Sequence, residues 1–200
     1  MQGNGRPALW LLAGADGVGK TTYARARITA VAGSTEFINL DLIGQGLSSL
    51  DPSRQQFRAA RVALDMARDL IRQRTSFSLE TTLSGLTHLR LIATAKSCGM
   101  AVKWLYFFVR SPEECLRRVA RRVAEGGHDA PETDLRRRYD RSLRNFAAYA
   151  ATCDFWCVHD ANGLAPLTIA EGEQSAVHHD TGKMVPDALA GFIRAANLCL

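Results

Sequence analysis

Eight residues decide how this chain is interpreted: Gly14-Ala15-Asp16-Gly17-Val18-Gly19-Lys20-Thr21. They match the pattern G-x-x-x-x-G-K-[ST] of a phosphate-binding P-loop. The apolar run Ala8–Ala13 before them suits a buried strand, and residues 22–27 after them suit a helix. Glycines let the backbone turn tightly, so that its N–H groups lie against phosphate oxygens. A glycine turn without a ligand is the alternative, but strand, loop and helix in this order favour nucleotide binding.

Two residues of this loop carry specific chemistry. Lys20 is expected to reach the β- and γ-phosphates of a nucleotide, and the Thr21 hydroxyl is expected to ligate Mg²⁺. The start of the following helix adds partial positive charge beside the phosphates. ATP and Mg²⁺ are therefore the predicted cofactors, bound by Gly14, Asp16, Gly17, Val18, Gly19, Lys20, Thr21 and Thr22.

The bulk composition is typical of a single globular domain. The 200 residues are 46% apolar, and we expect one domain over residues 1–200. No apolar run reaches the roughly 20 residues of a membrane helix, and a secretory cleavage site would fall inside the P-loop, so we expect a cytoplasmic protein. The five cysteines include no C-x-x-C pair, which argues against a disulfide framework or a zinc site.

Strand and helix signals alternate along the chain, which predicts an α/β fold with a parallel sheet covered by helices on both faces. Strands are expected at Ala8–Ala13, Glu36–Leu40, Ser76–Glu80, Val102–Val109 and Phe155–Val158, with an edge strand at Leu167–Ala170. Helices are expected over residues 20–32, 54–74, 87–98, 112–125, 132–152 and 187–197. The second has apolar residues at helical spacing, namely Phe57, Val62, Leu64, Met66, Leu70 and Ile71. Residues 171–183 show no assignable pattern.

Asp41 follows the second predicted strand, at the edge where open α/β sheets hold functional groups. Asn39 and Asp41 are expected on one face of that strand, because side chains alternate along a strand. If the second strand lies near the first, the Asp41 carboxylate faces the γ-phosphate and accepts the proton of an attacking hydroxyl. The alternative is an aspartate that caps the following turn.

A second polar group, Glu80-Thr81-Thr82, ends the third predicted strand at the same edge. One carboxylate and two hydroxyls offer hydrogen bonds to a polar acceptor substrate or to a Mg²⁺-bound water; a strand-end loop is the alternative. The fourth strand ends in Phe108-Val109-Arg110-Ser111, without the acid of a Walker-B motif. That difference points away from mechanochemical ATPases and towards small-molecule kinases.

The net charge of +5 reflects a local excess, since residues 110–144 contain ten arginines. Few aromatic residues are interleaved with them, so we do not expect nucleic-acid binding. They lie on two predicted helices separated by Gly126-Gly127-His128, and this helical hairpin can close over a nucleotide as a lid. Its guanidinium groups would stabilise the transferring phosphoryl group. A solvated basic face paired with nearby acids is the alternative.

Four segments together resemble the zeta-toxin-like P-loop kinases: residues 14–22, Asn39-Leu40-Asp41, residues 77–85 and residues 118–145. The most specific parts are Glu80-Thr81-Thr82-Leu83-Ser84-Gly85, Gly126-Gly127-His128, Arg137-Arg138-Tyr139 and Arg141-Ser142-Leu143-Arg144-Asn145. The resemblance extends from about Ala8 to Gly163.

This resemblance implies a P-loop kinase fold with five parallel strands in the order 2-3-1-4-5. Zeta toxins use ATP and Mg²⁺ to phosphorylate the sugar 3′-hydroxyl of UDP-N-acetylglucosamine. The implied partners are a small-molecule hydroxyl acceptor and a small antitoxin protein; the composition adds the expectation of no nucleic acid and no membrane. Carried over by position, the catalytic residues are Lys20, Asp41, Arg122 and Arg138. The acceptor site comprises Asn39, Asp41, Glu80, Thr81, Thr82, Arg118 and Arg141, and adenine lies near Asn162.

The chain also departs from the family pattern. Ala15, Asp16 and Val18 replace three residues of the loop that often reads G-P-N-G-A-G-K. A carboxylate at Asp16 would repel phosphates and weaken ATP binding, or would hold a Mg²⁺-bound water. The longer acceptor-side insertions of the best-known zeta toxins are missing. Two other functions stay open: a kinase for an antibiotic or metabolite, and a non-catalytic nucleotide-binding member of a toxin–antitoxin pair.

Overall fold

Strands and helices alternate along the chain, as the sequence pattern predicts. The computed structural model describes residues 6–48, 55–127, 129–174, 176–182 and 185–197. The strands are β1 (Ala8–Ala13), β2 (Phe37–Ile38), β3 (Phe77–Thr81), β4 (Ala101–Phe108), β5 (Phe155–Asp160), β6 (Leu167–Glu173) and β7 (Ala176–Asp180). The helices are α1 (Lys20–Tyr23), α2 (Thr29–Ala32), α3 (Leu40–Leu47), α4 (Gln56–Arg72), α5 (Thr87–Ser97), α6 (Pro112–Ala124), α7 (Glu132–Ala150) and α8 (Asp187–Asn197). A π-helical segment, Ala24–Ile28, joins α1 to α2.

One sheet contains seven strands in the order β2-β3-β1-β4-β5-β6-β7. Strands β1 to β5 are parallel, whereas β6 and β7 are antiparallel to their neighbours. The expected sheet of five parallel strands is therefore wrong in strand number, and the sheet is mixed. Leu167–Ala170 does begin a strand, but β6 is not at the edge, because β7 pairs with it. The connection between β6 and β7 is short, and short connections join antiparallel strands.

Helices cover both faces of the sheet, as expected. Alternate residues of β1 point to opposite faces, so that Leu9 and Leu11 pack in one core while Trp10 and Leu12 pack in the other. The first core includes residues of α4, α5, α7 and α8, and the second includes residues of the helix after the P-loop and of α6. β1 is buried along its whole length. Burial on both faces explains its uninterrupted apolar sequence.

Helix α4 buries only part of the apolar set that its sequence pattern predicts, since Ile71 and Leu70 pack on the core while other members are exposed. Its buried residues are spaced four apart, namely Ala59, Ala63, Ala67 and Ile71. Phe57 is 92% exposed, and Val62 and Met66 are also exposed. Ile71 is the one predicted apolar residue among the four buried ones, so α4 packs on the core mainly through alanines.

The two arginine-bearing helices of the predicted hairpin are present as α6 and α7, and they contact each other. Gly126 ends the first with a φ of +86°. His128 of the predicted glycine break and Arg54 at the predicted start of the second long helix lie outside the described residues. Closure of the hairpin as a lid stays a prediction. In the described part of the chain, no helix combines the length and the apolar character needed to cross a membrane.

Candidate functional site

The P-loop turns sharply because its glycines adopt backbone conformations that other residues rarely take. The φ angle is +138° at Gly14 and +78° at Gly17. A Cβ atom at Gly14 would lie 2.1 Å from the carbonyl oxygen of Phe107 in β4, so no side chain fits there. The loop is thereby held tightly against the neighbouring strand.

Lys20 lies over this loop and is only 5% exposed. Its Nζ atom donates hydrogen bonds to the carbonyl oxygens of Gly14 (2.9 Å) and Ala15 (2.8 Å). The same atom lies 3.9 Å from the carboxylate of Glu80. These contacts hold the ammonium group at the loop, where the motif predicts phosphates.

Glu80 is the acidic residue closest to the P-loop hydroxyl. Strand β3 lies beside β1, and the register places Glu80 opposite Leu12. The Glu80 carboxylate accepts hydrogen bonds from the Thr21 hydroxyl at 2.8 and 3.1 Å and from the Asn39 side-chain amide at 2.6 Å. The fourth strand ends without a Walker-B acid, but β1 has a second neighbour, β3. Strand β3 places the Glu80 carboxylate beside the P-loop hydroxyl.

Asp41 is on a helix and not on a strand. β2 ends at Ile38, and α3 begins at Leu40. The Asn39 side chain caps α3, because its Oδ1 atom accepts a hydrogen bond from the backbone N–H of Leu42 at 3.0 Å. The expectation that Asn39 and Asp41 share a strand face is therefore wrong, because this cap starts a helix that the sequence analysis did not predict. Asp41 lies in the first turn of α3 and is exposed.

Asp16 connects the P-loop to α7. Its Oδ2 atom accepts a hydrogen bond from Arg138 Nη1 at 3.4 Å. The two side chains are 15% and 25% exposed, respectively. One arginine of the predicted hairpin therefore reaches the phosphate-binding loop.

Arg118 of α6 lies beside the loop that follows β5. Its Nε atom donates to Glu114 at 2.6 Å, and its Nη2 atom lies 3.4 Å from the carbonyl oxygen of Asn162. Hydrogen bonds from Arg117 and Arg118 lower the pKa of Glu114 to about 2. The Asn162 side-chain amide donates to Asp160 at 2.5 Å, which orders the loop. Arg118 was predicted in the acceptor site and Asn162 near adenine, and the structure places the two residues side by side.

Two cavities meet at the P-loop. The larger, of about 990 Å³, lies between the P-loop, α6 and the loop after β5, and we call it the basic groove. The smaller, of about 340 Å³, lies between α3, α4, β3 and α5, and we call it the helix cavity. Four residues line both: Asp16, Lys20, Asp41 and Glu80.

The other predicted site residues divide between these cavities, apart from Gly14 and Arg141, which are not among the described lining residues. The basic groove is lined by Gly17, Val18, Gly19, Thr21, Thr22, Arg118, Arg122 and Asn162. The helix cavity is lined by Asn39, Thr81, Thr82 and Arg138. Arg141 is exposed, lies nearly one turn beyond Arg138 on α7, and is not among the described residues that line either cavity. The structure does not bring Arg141 to the site.

Two histidines of the cavity walls were missed by the sequence analysis. His88 lines the helix cavity with Nδ1 3.5 Å from the Thr81 hydroxyl, and burial lowers its pKa. His159 lines the basic groove, stacks on Phe107 with ring centroids 4.8 Å apart, and has its pKa lowered to about 4 by burial. Neither belongs to a motif. The position of His159 near the carboxyl end of β5 is the one sequence signal that points to it.

Comparison with known proteins agrees with this architecture. A family model described as "AAA domain" matches residues 9–148. An uncharacterized protein of Haemophilus influenzae is 30% identical over 141 residues, which cover 67% of this chain and 99% of that protein.

Solved structures share the fold at low identity. A chain of the AvrRxo1-ORF1:-ORF2 complex with ATP has a TM-score of 0.69 and 17% identity, and the match covers 97% of this chain and 65% of that one. The chain thus spans less than two thirds of that longer protein. A structure from the PezAT chromosomal toxin–antitoxin system of Streptococcus pneumoniae has a TM-score of 0.64 and 16% identity, covering 94% of this chain and 84% of that one. The P-loop kinase-like fold that the resemblance to zeta toxins implies is confirmed by these structures. On the family match, this chain belongs to the AAA domain family of P-loop proteins.

Proposed function

We propose that this protein is an ATP-dependent kinase that transfers the γ-phosphate to a hydroxyl group of a small molecule. The supporting observation is that the basic groove and the helix cavity share one wall, formed by Asp16, Lys20, Asp41 and Glu80. Direct phosphoryl transfer requires two ligands to meet beside groups that stabilise the transferring charge. The shared wall places Lys20 and Asp41 where a ligand in one cavity would meet a ligand in the other.

ATP is assigned to the basic groove. Its described lining includes four carboxylates and six cations, namely Lys20, Arg27, Arg117, Arg118, Arg121 and Arg122. A positive lining favours a triphosphate. In this proposal the phosphates lie against the P-loop amides and Lys20, and adenine lies beside the loop that contains Asn162.

Thr21 and Glu80 are assigned to Mg²⁺, a hard cation that prefers oxygen ligands. Their hydroxyl and carboxylate oxygens lie 2.8 Å apart, so the donor set fits such an ion. Thr21 would ligate the metal, and Glu80 would hold it through a bound water. When bound there, Mg²⁺ would neutralise charge on the β- and γ-phosphates.

The transfer step uses residues of the shared wall. The acceptor oxygen forms a bond to the γ-phosphorus while the bond from that phosphorus to the β–γ bridging oxygen breaks and ADP leaves. Asp41 takes the proton of the acceptor hydroxyl. Lys20, Arg122 and Arg138 neutralise the charge of the phosphoryl group as it moves. No covalent enzyme intermediate is involved.

A transfer assay tests this proposal. The protein is incubated with γ-labelled ATP, Mg²⁺ and hydroxyl compounds that include antibiotics, metabolites and UDP-N-acetylglucosamine, the acceptor implied by the zeta-toxin resemblance. We expect one acceptor to gain label in step with ADP release, and Lys20→Ala to reduce the rate by at least ~100-fold. Lys103→Ala, outside both cavities, is the matched control. ATP binding without transfer to any acceptor, together with no toxicity on expression, would favour a non-catalytic nucleotide-binding member of a toxin–antitoxin pair.

A small protein partner is also proposed. The AvrRxo1-ORF1:-ORF2 and PezAT structures come from a two-protein complex and a toxin–antitoxin system. Co-purification of this protein with the product of a neighbouring reading frame tests the proposal. The proposed location of the protein is the cytoplasm, where ATP is plentiful. A partner that abolishes phosphoryl transfer on binding supports an antitoxin, and one that leaves transfer unchanged contradicts it.

A further inference from the structure

The helix cavity and the basic groove carry opposite charge. The described lining of the helix cavity includes two cations, Lys20 and Arg138, and three carboxylates, Asp16, Asp41 and Glu80. Both cations are already engaged: Lys20 donates to P-loop carbonyls and lies near Glu80, and Arg138 pairs with Asp16. The described lining of the helix cavity therefore has a formal charge of −1. An anionic ligand would be repelled there, whereas the basic groove attracts one.

Part of the lining of the helix cavity is apolar. Ala59 and Ala63 of α4 and Leu79 of β3 are buried side chains of this apolar wall, and Ala60 and Leu64 extend it along α4. The volume of about 340 Å³ is close to the lower limit of roughly 300 Å³ for small-molecule sites. An apolar part of modest size therefore fits against α4.

Neutral polar side chains surround the rest of the cavity, namely Gln45, Gln56, Thr82, Ser84, Thr87 and His88. Burial lowers the pKa of His88, so its imidazole is uncharged at neutral pH. These groups can donate or accept hydrogen bonds without adding charge. Among the described lining residues, they offer an anion no further cation.

We infer that the phosphate acceptor is an uncharged hydroxyl compound with an apolar body, and not a nucleotide sugar or another phosphorylated metabolite. This inference rests on the proposed function, because it concerns the acceptor side of the same site. The hydroxyl lies at the shared wall near Asp41, and the apolar body packs on α4. A phosphorylated compound would lose its water beside Asp41, while the two cations of the described lining, Lys20 and Arg138, lie near Glu80 and Asp16, so its burial is costly.

A binding experiment tests the acceptor class independently of turnover. The protein is first saturated with Mg²⁺ and a non-hydrolysable ATP analogue, so that nucleotides in the library cannot enter the basic groove. A fragment library with uncharged hydroxyl compounds, carboxylates and phosphates is then screened by ligand-observed NMR. Matched pairs such as uridine with UMP, and N-acetylglucosamine with its 1-phosphate, are titrated by calorimetry. We expect the uncharged member to bind at least ~10-fold more tightly.

Two variants locate the binding in the helix cavity. Ala60→Leu fills part of the apolar wall and should abolish binding of the uncharged compounds, whereas Ala93→Leu on the exposed side of α5 should not. Gln45→Lys adds a cation at an exposed position of the lining, and should strengthen binding of phosphates several-fold. Gln73→Lys, beyond the C-terminal end of α4, is its matched control. Melting temperatures show whether each variant is folded.

The possible results test the ligand class and the kinase function separately. Uncharged hydroxyl compounds that bind in an Ala60-dependent way, with phosphates weaker, support the inference. Equal or tighter binding of phosphates, or no Ala60-dependent binding by any uncharged compound, overturns it. If the bound compounds are never phosphorylated with ATP, the proposed kinase function fails while the ligand class stands.

Discussion

The Thr21 hydroxyl of the P-loop donates hydrogen bonds to both carboxylate oxygens of Glu80, at 2.8 and 3.1 Å, although 59 residues separate them in the chain. The parallel pairing of β1 with β3 creates this contact, because it places Glu80 beside the end of the strand that leads into the P-loop. The proposed metal site therefore depends on the strand order. The Asn39 side-chain amide also donates to Glu80. Residues from the P-loop, the start of α3 and β3 therefore meet at one carboxylate.

Replacing Glu80 should weaken the use of Mg²⁺. Glu80→Gln keeps the shape of the side chain but removes the charge, and loss of such an outer ligand typically costs 10- to 100-fold in metal affinity. The measurement is the Mg²⁺ concentration that half-saturates phosphoryl transfer, with Glu36→Gln at an exposed position as the control. An unchanged Mg²⁺ requirement would assign Glu80 to the acceptor alone.

Replacing Asp41 should slow the chemical step and leave ATP binding intact. Asp41→Asn removes the proposed base, and general-base catalysis typically contributes ~10²–10⁴-fold to a rate. The transfer rate and the dissociation constant of an ATP analogue are compared in this variant and in Asp65→Asn, an exposed aspartate of α4. Transfer at the wild-type rate in Asp41→Asn excludes the carboxylate as the base.

Replacing Asp16 should tighten nucleotide binding. The Asp16 carboxylate lies in the phosphate-binding loop and pairs with Arg138 at 3.4 Å. Asp16→Asn removes repulsion and releases Arg138 towards the phosphates, which we expect to lower the dissociation constant about 3- to 10-fold. Calorimetric titration with a non-hydrolysable ATP analogue measures the change. Weaker binding that is restored by excess Mg²⁺ would show instead that Asp16 helps to hold the metal.

Buried His159 should make stability depend on pH. Burial lowers its folded-state pKa to about 4, compared with an ordinary value of 6.5, so the unfolded chain takes up a proton first as the pH falls. As the pH is lowered from 6.5 to about 4, this residue is therefore expected to reduce the free energy of unfolding by up to ~3 kcal/mol. His159→Phe keeps the ring packing on Phe107 and should reduce this slope. Urea unfolding at several pH values compares the variant with the wild type, and equal slopes would contradict the assignment.

The exposed and buried phenylalanines should respond very differently to truncation. Phe57 is 92% exposed, whereas Phe146 is 1% exposed and contacts Trp104 with ring centroids 4.7 Å apart. Phe57→Ala should change the free energy of unfolding by less than ~0.5 kcal/mol. Phe146→Ala should cost ~3–5 kcal/mol, because it leaves a cavity in the core. Denaturant unfolding measures both, and a large effect at Phe57 would indicate that α4 packs through its large apolar residues.

Local sequence determined the features that depend on neighbouring residues. The P-loop follows from glycine and lysine spacing, and strand β1 has the predicted bounds because a short apolar run between polar segments has few alternatives. The alternation of strands and helices determined the α/β class in the same way. Glu80, Thr81 and Thr82 were placed correctly at the carboxyl edge of the sheet, since that edge is shared by all its parallel strands.

Tertiary structure decided the features that depend on distant segments. The strand order set Glu80 beside Thr21, and the Asn39 cap moved Asp41 from a strand to a helix. Tertiary packing buried the alanine face of α4, and Ala59 and Ala63 of that face also line the helix cavity. The charge of each cavity is a sum over residues from several elements, so no single stretch of sequence contains it. Local periodicity specifies what each segment can form, whereas the geometry of the packed sheet specifies which side chains meet.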